Sequence, residues 1–209
     1  MLLYYITDRA QFPGNELHRR EALLENISAA ARSAVDFIQL REKDLSGQEL
    51  ESLAHEAVKA VRAASSRTRI LINSRTDIAF ATGADGVHLR SNDISVAEVR
   101  KIWKSAGAER NPTLAVSCHT ENDVLAAAES GVEVAVFGPV FEKGSAPATG
   151  LDSLRSVTRA QVPVVALGGV TLANVRSCIA AGATGIAGIR LFQQGNVTEM
   201  IGELRSLEN

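Results

Sequence analysis

The sequence predicts a closed (β/α)8 TIM barrel, class α/β, formed by residues 1–209 as one domain, and three observations carry that prediction. Short apolar runs alternate with longer amphipathic stretches eight times along the chain. A glycine-ended joint recurs: Ala81-Thr82-Gly83-Ala84-Asp85-Gly86-Val87 and Ala180-Ala181-Gly182-Ala183-Thr184-Gly185-Ile186 share one form, and Glu129-Ser130-Gly131-Val132 is a weaker copy. No linker-like stretch divides the chain, whose 209 residues are near the lower limit for eight βα units.

The apolar runs place strands at Leu2–Thr7, Phe37–Leu40, Arg69–Ile72, Gly86–Leu89, Thr113–Ser117, Val132–Phe137, Pro163–Leu167 and Gly185–Ile189. They are short and uniformly apolar, as strands covered on both faces are. Helical patterns lie between them at Glu16–Ser33, Ser46–Ala64, Arg75–Thr82, Val96–Lys104, Glu121–Ser130, Asp152–Ala160, Leu172–Ala181 and Val197–Leu207. In each repeated joint a glycine stands where the helix should end, free to take the left-handed conformation before a buried strand begins. An open doubly wound sheet is the competing architecture. Its G-x-G-x-x-G turn is missing after the first strand, and the eighth unit looks complete.

Composition narrows the function classes. Hydrophobic residues make up 45% and charged residues 22%, an ordinary globular balance. A net charge of −2 gives no electrostatic reason for nucleic acid or an anionic membrane as partner, so any phosphate affinity must be local. Cys118 and Cys178 lack metal-ligand spacing and read as reduced, buried thiols. No apolar run approaches a membrane span, and the N-terminal apolar stretch is interrupted at Asp8, so a cytoplasmic location is expected. Trp103 reads as helix packing, and His18 and His55 as surface residues within helices.

In a βα barrel the working residues stand at strand C-termini and in the loops that follow. The pair Gly168-Gly169, expected to open the seventh helix, and Gly188 in the matching place of the eighth unit, suggest an anion cradle of backbone amides joined by Arg190, the alternative being a tight βα turn with no ligand. A side chain on Gly169 is expected to take the anion's place. Gln39, Arg41 and Lys43 alternate at and beyond the second strand; they converge on a polyanion if they face the barrel mouth, and otherwise belong to a solvated Arg-Glu-Lys-Asp turn. Asp93 either ligates Mg²⁺ or caps the helix beginning near Ser95. His119 and His88, both at strand ends, are the candidate general bases.

Eight segments in order resemble the thiamine phosphate synthase / thiazole tautomerase (TenI-like) family almost end to end. They are Tyr5-Ile6-Thr7-Asp8, Gln39-Leu40-Arg41-Glu42-Lys43, Leu71-Ile72-Asn73, Gly83-Ala84-Asp85-Gly86-Val87-His88-Leu89, Val116-Ser117-Cys118-His119-Thr120, Phe137-Gly138-Pro139-Val140-Phe141, Ala166-Leu167-Gly168-Gly169-Val170 and Ala181-Gly182-Ala183-Thr184-Gly185-Ile186. The resemblance implies a synthase that joins a pyrimidinylmethyl diphosphate to a thiazole phosphate with release of diphosphate. It implies that Arg41, Lys43 and Asn73 hold the diphosphate and pyrimidine end, and that Asp93 ligates Mg²⁺. Gln39 and Ser117 would line the pocket, while Gly169 and Gly188 hold the thiazole phosphate. The partners expected are small phosphorylated substrates, with a homo-oligomer left open.

Three positions depart from the synthase pattern. Ser74 stands where an Asp usually ligates Mg²⁺, Ala146 where a loop lysine is expected, with Lys143 nearby, and Arg190 where a serine is common. A tautomerase would need neither diphosphate nor metal. Its expected histidine on the sixth strand is Pro139 here, so His119 would have to act instead. The synthase keeps more matched positions and ranks first, ahead of the tautomerase and of a non-catalytic binder of thiazole or thiamine phosphate.

Overall fold

A computed structural model describes residues 1–142 and 147–207. Lys143 and Ala146, on which the reading of the sixth loop depends, lie outside the described residues. Eight parallel strands pair in sequence order and the last closes on the first: β1 (Leu2–Ile6), β2 (Phe37–Leu40), β3 (Arg69–Asn73), β4 (Gly86–Leu89), β5 (Thr113–Cys118), β6 (Val134–Phe137), β7 (Val164–Leu167) and β8 (Gly185–Gly188). The closing register sets Leu2 beside Gly185 and Tyr5 beside Gly188. The predicted barrel is the observed one.

The strands read as uniformly apolar because two layers cover them. On β1, Tyr4 and Ile6 pack inside the barrel with Phe37, Leu71 and Val165, while Leu3 and Tyr5 pack outward in the larger layer beneath the helices. The same alternation gives the barrel interior two sectors. Toward the C-terminal ends of β2 to β5 the inward positions are polar, namely Gln39, Asn73, His88 and Ser117; around β6 to β8 they are Val136, Leu167 and Ala187. Fully burying a large apolar side chain contributes about 1.5–3 kcal/mol, so four polar residues in this layer forgo several kcal/mol of burial. That sacrifice marks the polar sector as the working one.

The outer layer comprises α1 (Glu16–Arg32), α2 (Gly47–Ala64), α3 (Thr76–Ala81), α4 (Val96–Ser105), α5 (Glu121–Glu129), α6 (Gly150–Val157), α7 (Val175–Ala180), a one-turn α8 (Arg190–Gln193) and α9 (Val197–Ser206). Reciprocal capping boxes start three of them: Ser46 with Glu49, Ser95 with Glu98, and Thr120 with Asp123. The repeated joints end as predicted, with Gly83, Gly131 and Gly182 at φ of +69°, +63° and +96°. Trp103 is 7% exposed on α4 and meets Phe80 of α3 edge to face, with ring centroids 5.5 Å apart. Cys118 and Cys178 are buried and unpaired. Among the described residues, no helix is long and apolar enough to cross a membrane.

Two departures from the sequence reading bear on the site. The seventh helix begins at Val175 rather than Leu172. Asn174 explains the delay: its side chain accepts from the Thr171 amide at 2.8 Å and donates to the Gly169 carbonyl at 2.9 Å, holding Thr171–Asn174 as a turn. Gly168-Gly169 therefore precedes this braced turn and does not open the helix. The second departure is α8, which directly follows β8 and begins at Arg190.

Candidate active site

The loop after β2 is built on a buried charge network. Glu42, 5% exposed, accepts from the Thr7 hydroxyl, from the Arg9 amide at 2.9 Å and from the Arg9 guanidinium at 3.2 Å. Arg9 also grips Asp44 through two bonds of 2.7 and 2.8 Å, and Thr7 Oγ1 accepts from the Arg41 amide at 2.9 Å. Burial pushes the Glu42 pKa up against the lowering effect of Thr7 and Arg9. The segment is thus no simple solvated turn; its acidic member is an anchor.

That anchor leaves Arg41 and Lys43 facing a cavity of about 340 Å³ at the barrel mouth, shared with Gln39, Asn73, Ser117 and His119. Among the described residues, neither Arg41 nor Lys43 forms an ion pair. Desolvation lowers the pKa of half-buried Arg41, and the neighbouring Arg41 charge lowers that of Lys43. Gln39 donates to Asn73 at 2.8 Å, while its buried Oε1 has no partner among the described residues. A partly desolvated cation and a bare acceptor are both completed by a ligand that brings an anion and a donor.

Behind Ser117 runs a buried relay. The Tyr4 hydroxyl lies 2.7 Å from His88 Nδ1, and His88 Nε2 lies 2.8 Å from Ser117 Oγ. Burial, followed by the Arg41 charge, pushes the His88 pKa down to about 3, so the imidazole is neutral near pH 7. With Tyr4 donating to Nδ1, the Nε2–H donates to Ser117, and the serine hydroxyl is free to donate into the cavity. His88 is consequently a fixed neutral donor rather than a general base. His119 is exposed on the rim and donates from Nδ1 to the Gly138 carbonyl at 2.6 Å, which leaves Nε2 as its free acceptor.

Asp93 does not cap α4, a task taken by Ser95. Its Oδ2 accepts from the Arg90 amide at 2.8 Å, and its Oδ1 from Arg90 Nη2 at 2.9 Å. Burial raises the Asp93 pKa, but the bonds from Arg90 and Ser74 outweigh it and hold the carboxylate below its usual range. Arg90 Nε donates to Ser74 Oγ at 2.9 Å. Among the described residues no three His, Cys, Asp or Glu side chains are grouped to hold a metal. Mg²⁺ demands oxygens at about 2.0–2.1 Å in near-octahedral array, whereas Asp93 Oδ1 and the Ser74 hydroxyl are engaged by the Arg90 guanidinium and Asp93 Oδ2 by the Arg90 backbone amide. The donor set does not fit the Mg²⁺ that the family resemblance implies.

A second cavity, about 510 Å³, opens over β7 and β8 and is lined by Gly168, Gly169, Gly188 and Arg190. Arg190 is exposed and makes no ion pair with the described residues. The one-turn α8 begins at Arg190 beside this cavity, after the eighth strand, where βα barrels commonly hold phosphate. The glycines matter for a reason other than the expected one. Gly168 and Gly169 have φ of +96° and +64°, and a Cβ would strike Pro139 at 2.6 Å or Phe141 at 2.7 Å rather than fill the anion's place. Leu167 and Ile189 line both cavities, so the two adjoin across an apolar waist.

The structure thus brings Gln39, Arg41, Lys43, Asn73, Ser117 and His119 to one cavity and Gly168, Gly169, Gly188 and Arg190 to its neighbour, with Asp93 paired to Arg90 at the edge. Sequence reasoning missed Tyr4, Glu42, Arg90 and the waist. Alternation along β1 could have turned Tyr4 inward, but its partner is 84 residues away.

Comparison with known proteins gives the family. The family model described as thiamine monophosphate synthase matches residues 3–192. A putative thiamine-phosphate synthase of Geobacter sulfurreducens is 39% identical over 192 residues, covering 88% of this chain and 83% of the relative. A thiamine-phosphate synthase of Methanoculleus marisnigri is 34% identical over 209 residues, covering 97% and 93%. Among solved structures, a thiamine phosphate pyrophosphorylase of Pyrococcus furiosus superposes with a TM-score of 0.82 at 27% identity, covering 99% of this chain and 94% of that one. With the family model spanning most of the barrel and relatives above 30% identity over nearly the whole chain, this protein belongs to the thiamine monophosphate synthase family.

Proposed function

We propose that the chain is a thiamine phosphate synthase, joining a pyrimidinylmethyl diphosphate to a thiazole phosphate with release of diphosphate. The observation that carries this reading is the pair of adjoining cavities, one cationic and one walled by glycines and Arg190, which among the described residues share Leu167 and Ile189. Two anionic substrates seated at opposite ends would meet their reacting atoms at that apolar waist. The methylene C–O bond breaks with its electron pair leaving on the diphosphate, and the thiazole nitrogen supplies the pair for the new C–N bond. Arg41 and Lys43 stabilise the departing charge, which is greater in the transition state than in the bound substrate. Gln39 Oε1 accepts from a donor on the pyrimidine, and Ser117, oriented by His88, donates to it. No step calls for a base, which accords with the neutral, hydrogen-bonded His88.

The free Nε2 of His119 at the cavity rim favours a second reading, isomerisation of a thiazole carboxylate phosphate. Both reactions should be measured on wild type, Arg41→Ala and His119→Ala. The synthase reading expects diphosphate release to fall about 10²–10³-fold in Arg41→Ala and to stay near wild type in His119→Ala. Metal-free isomerisation that falls about 10²–10⁴-fold in His119→Ala would replace it. Tight ligand binding with neither turnover would leave a binding protein.

A further inference from the structure

We propose that Arg90 takes the place of a divalent cation in this protein, so that Arg41, Lys43 and Arg90 together hold the diphosphate without Mg²⁺. The inference rests on the synthase reading for the identity of the anion, and on the geometry around Arg90 for everything else. The Arg90 side chain stands at the edge of the same cavity as Arg41 and Lys43. Its Nε lies 2.9 Å from Ser74 Oγ and its Nη2 2.9 Å from Asp93 Oδ1, while Asp93 Oδ2 is occupied by the Arg90 amide at 2.8 Å. Nη1 donates to no described residue, so the guanidinium is pinned on one side and retains donors for an anion on the other.

Charge bookkeeping agrees with the substitution. The resemblance implies two carboxylates around a divalent ion. Here one carboxylate is a hydroxyl and the cation is monovalent, so the local sum is unchanged. Ser74 is also held for this task. It adopts φ +62°, a left-handed conformation costing a side-chain-bearing residue roughly 1–2 kcal/mol, and its amide donates to the His88 carbonyl at 2.9 Å. A metal ion reaching Asp93 would have to displace a two-point ion pair whose carboxylate is only 9% exposed.

The test is calorimetric titration of inorganic diphosphate into wild type, Arg90→Ala and Arg90→Lys, each in EDTA and in Mg²⁺, with circular dichroism confirming the fold. Wild type is expected to bind diphosphate in EDTA, and Arg90→Ala to bind it about 10–100-fold more weakly there. Arg90→Lys, which keeps charge but loses the planar fork, should fall between them. Mg²⁺ should recover part of the loss in Arg90→Ala, where Asp93 is released. Wild-type binding that appears only with Mg²⁺, or an Arg90→Ala affinity equal to wild type in EDTA, overturns the proposal and leaves the synthase reading standing. No diphosphate binding in either condition removes both.

Discussion

Replacing Tyr4 with Phe removes one oxygen from the centre of the barrel and little else. The ring still stacks on Phe37 at 5.5 Å and keeps its edge contact with His88 at 5.8 Å. What disappears is the 2.7 Å bond to His88 Nδ1. Tyr4 is 0% exposed and His88 2%, so water cannot take over the vacated place, and a buried polar group left unpaired costs about 1–3 kcal/mol. The bond also sets the tautomer. Without it the proton can move to Nδ1, Nε2 becomes an acceptor, and the Ser117 hydroxyl turns back toward the imidazole. One neutral hydrogen bond lost to the substrate is worth about 1 kcal/mol, or roughly fivefold in kcat/KM. Urea unfolding should show the stability loss, and turnover of the two proposed substrates the rate loss. Ser117→Ala should show the rate loss with a much smaller stability loss, because Ser117 is only half-buried and solvent can satisfy Nε2. A Tyr4→Phe protein within about 0.5 kcal/mol of wild type, the range of ordinary surface changes, would refute the relay as drawn.

Two further outcomes follow from the same buried groups. The folded pKa of His88, about 3, lies below its unfolded value near 6.5, so the unfolded chain binds the extra proton between them. The stability from burying neutral His88 is complete above pH 6.5 and is lost as pH falls toward 3. Wild type should therefore lose about 2 kcal/mol more than His88→Asn between pH 8 and pH 5 in paired urea titrations. Glu42, whose shift has the opposite sign, is common to both proteins and cancels. Equal pH slopes would contradict the depressed value. Glu42→Gln should destabilise by about 1–3 kcal/mol by turning a donor group toward the Arg9 amide or guanidinium. It should also raise KM for the diphosphate substrate, since Arg41 and Lys43 hang on that loop; an unchanged KM would separate the anchor from the site.

The barrel was legible because its signals are local. A strand covered on both faces is apolar at most positions, and a glycine in left-handed conformation ends the helix before three of them, so βα units could be marked within a few residues. Leu172–Asn174 was misread because an asparagine side chain outcompeted the helix for backbone groups, a contest that apolar periodicity does not register. At the site, Gln39, Arg41, Asn73 and Ser117 could be found because they stand at strand ends. Tyr4, which orients His88, could not, and His88 itself was found but with a different role. Pairing of β4 with β5 sets His88 beside Ser117, but only closure of the barrel brings Tyr4 of β1 to His88. Arg90 carries no signal in the sequence; its pairing with Asp93 and Ser74 gives it a fixed place only in the fold.

The edge-to-face packing of Trp103 on Phe80 has an experimental consequence. The chain has one tryptophan, and it sits between the α3 and α4 units whose preceding loops carry Ser74 and the Arg90–Asp93 pair. Intrinsic emission is therefore a local optical probe of that quarter of the barrel, blind to the phosphate cradle over β7 and β8. Far-ultraviolet circular dichroism averages over every helix. If the two signals trace one urea curve, the barrel unfolds as a unit and the free energies above are well defined. If emission changes first, the third and fourth units open while the remainder holds, and each midpoint belongs to its own sector.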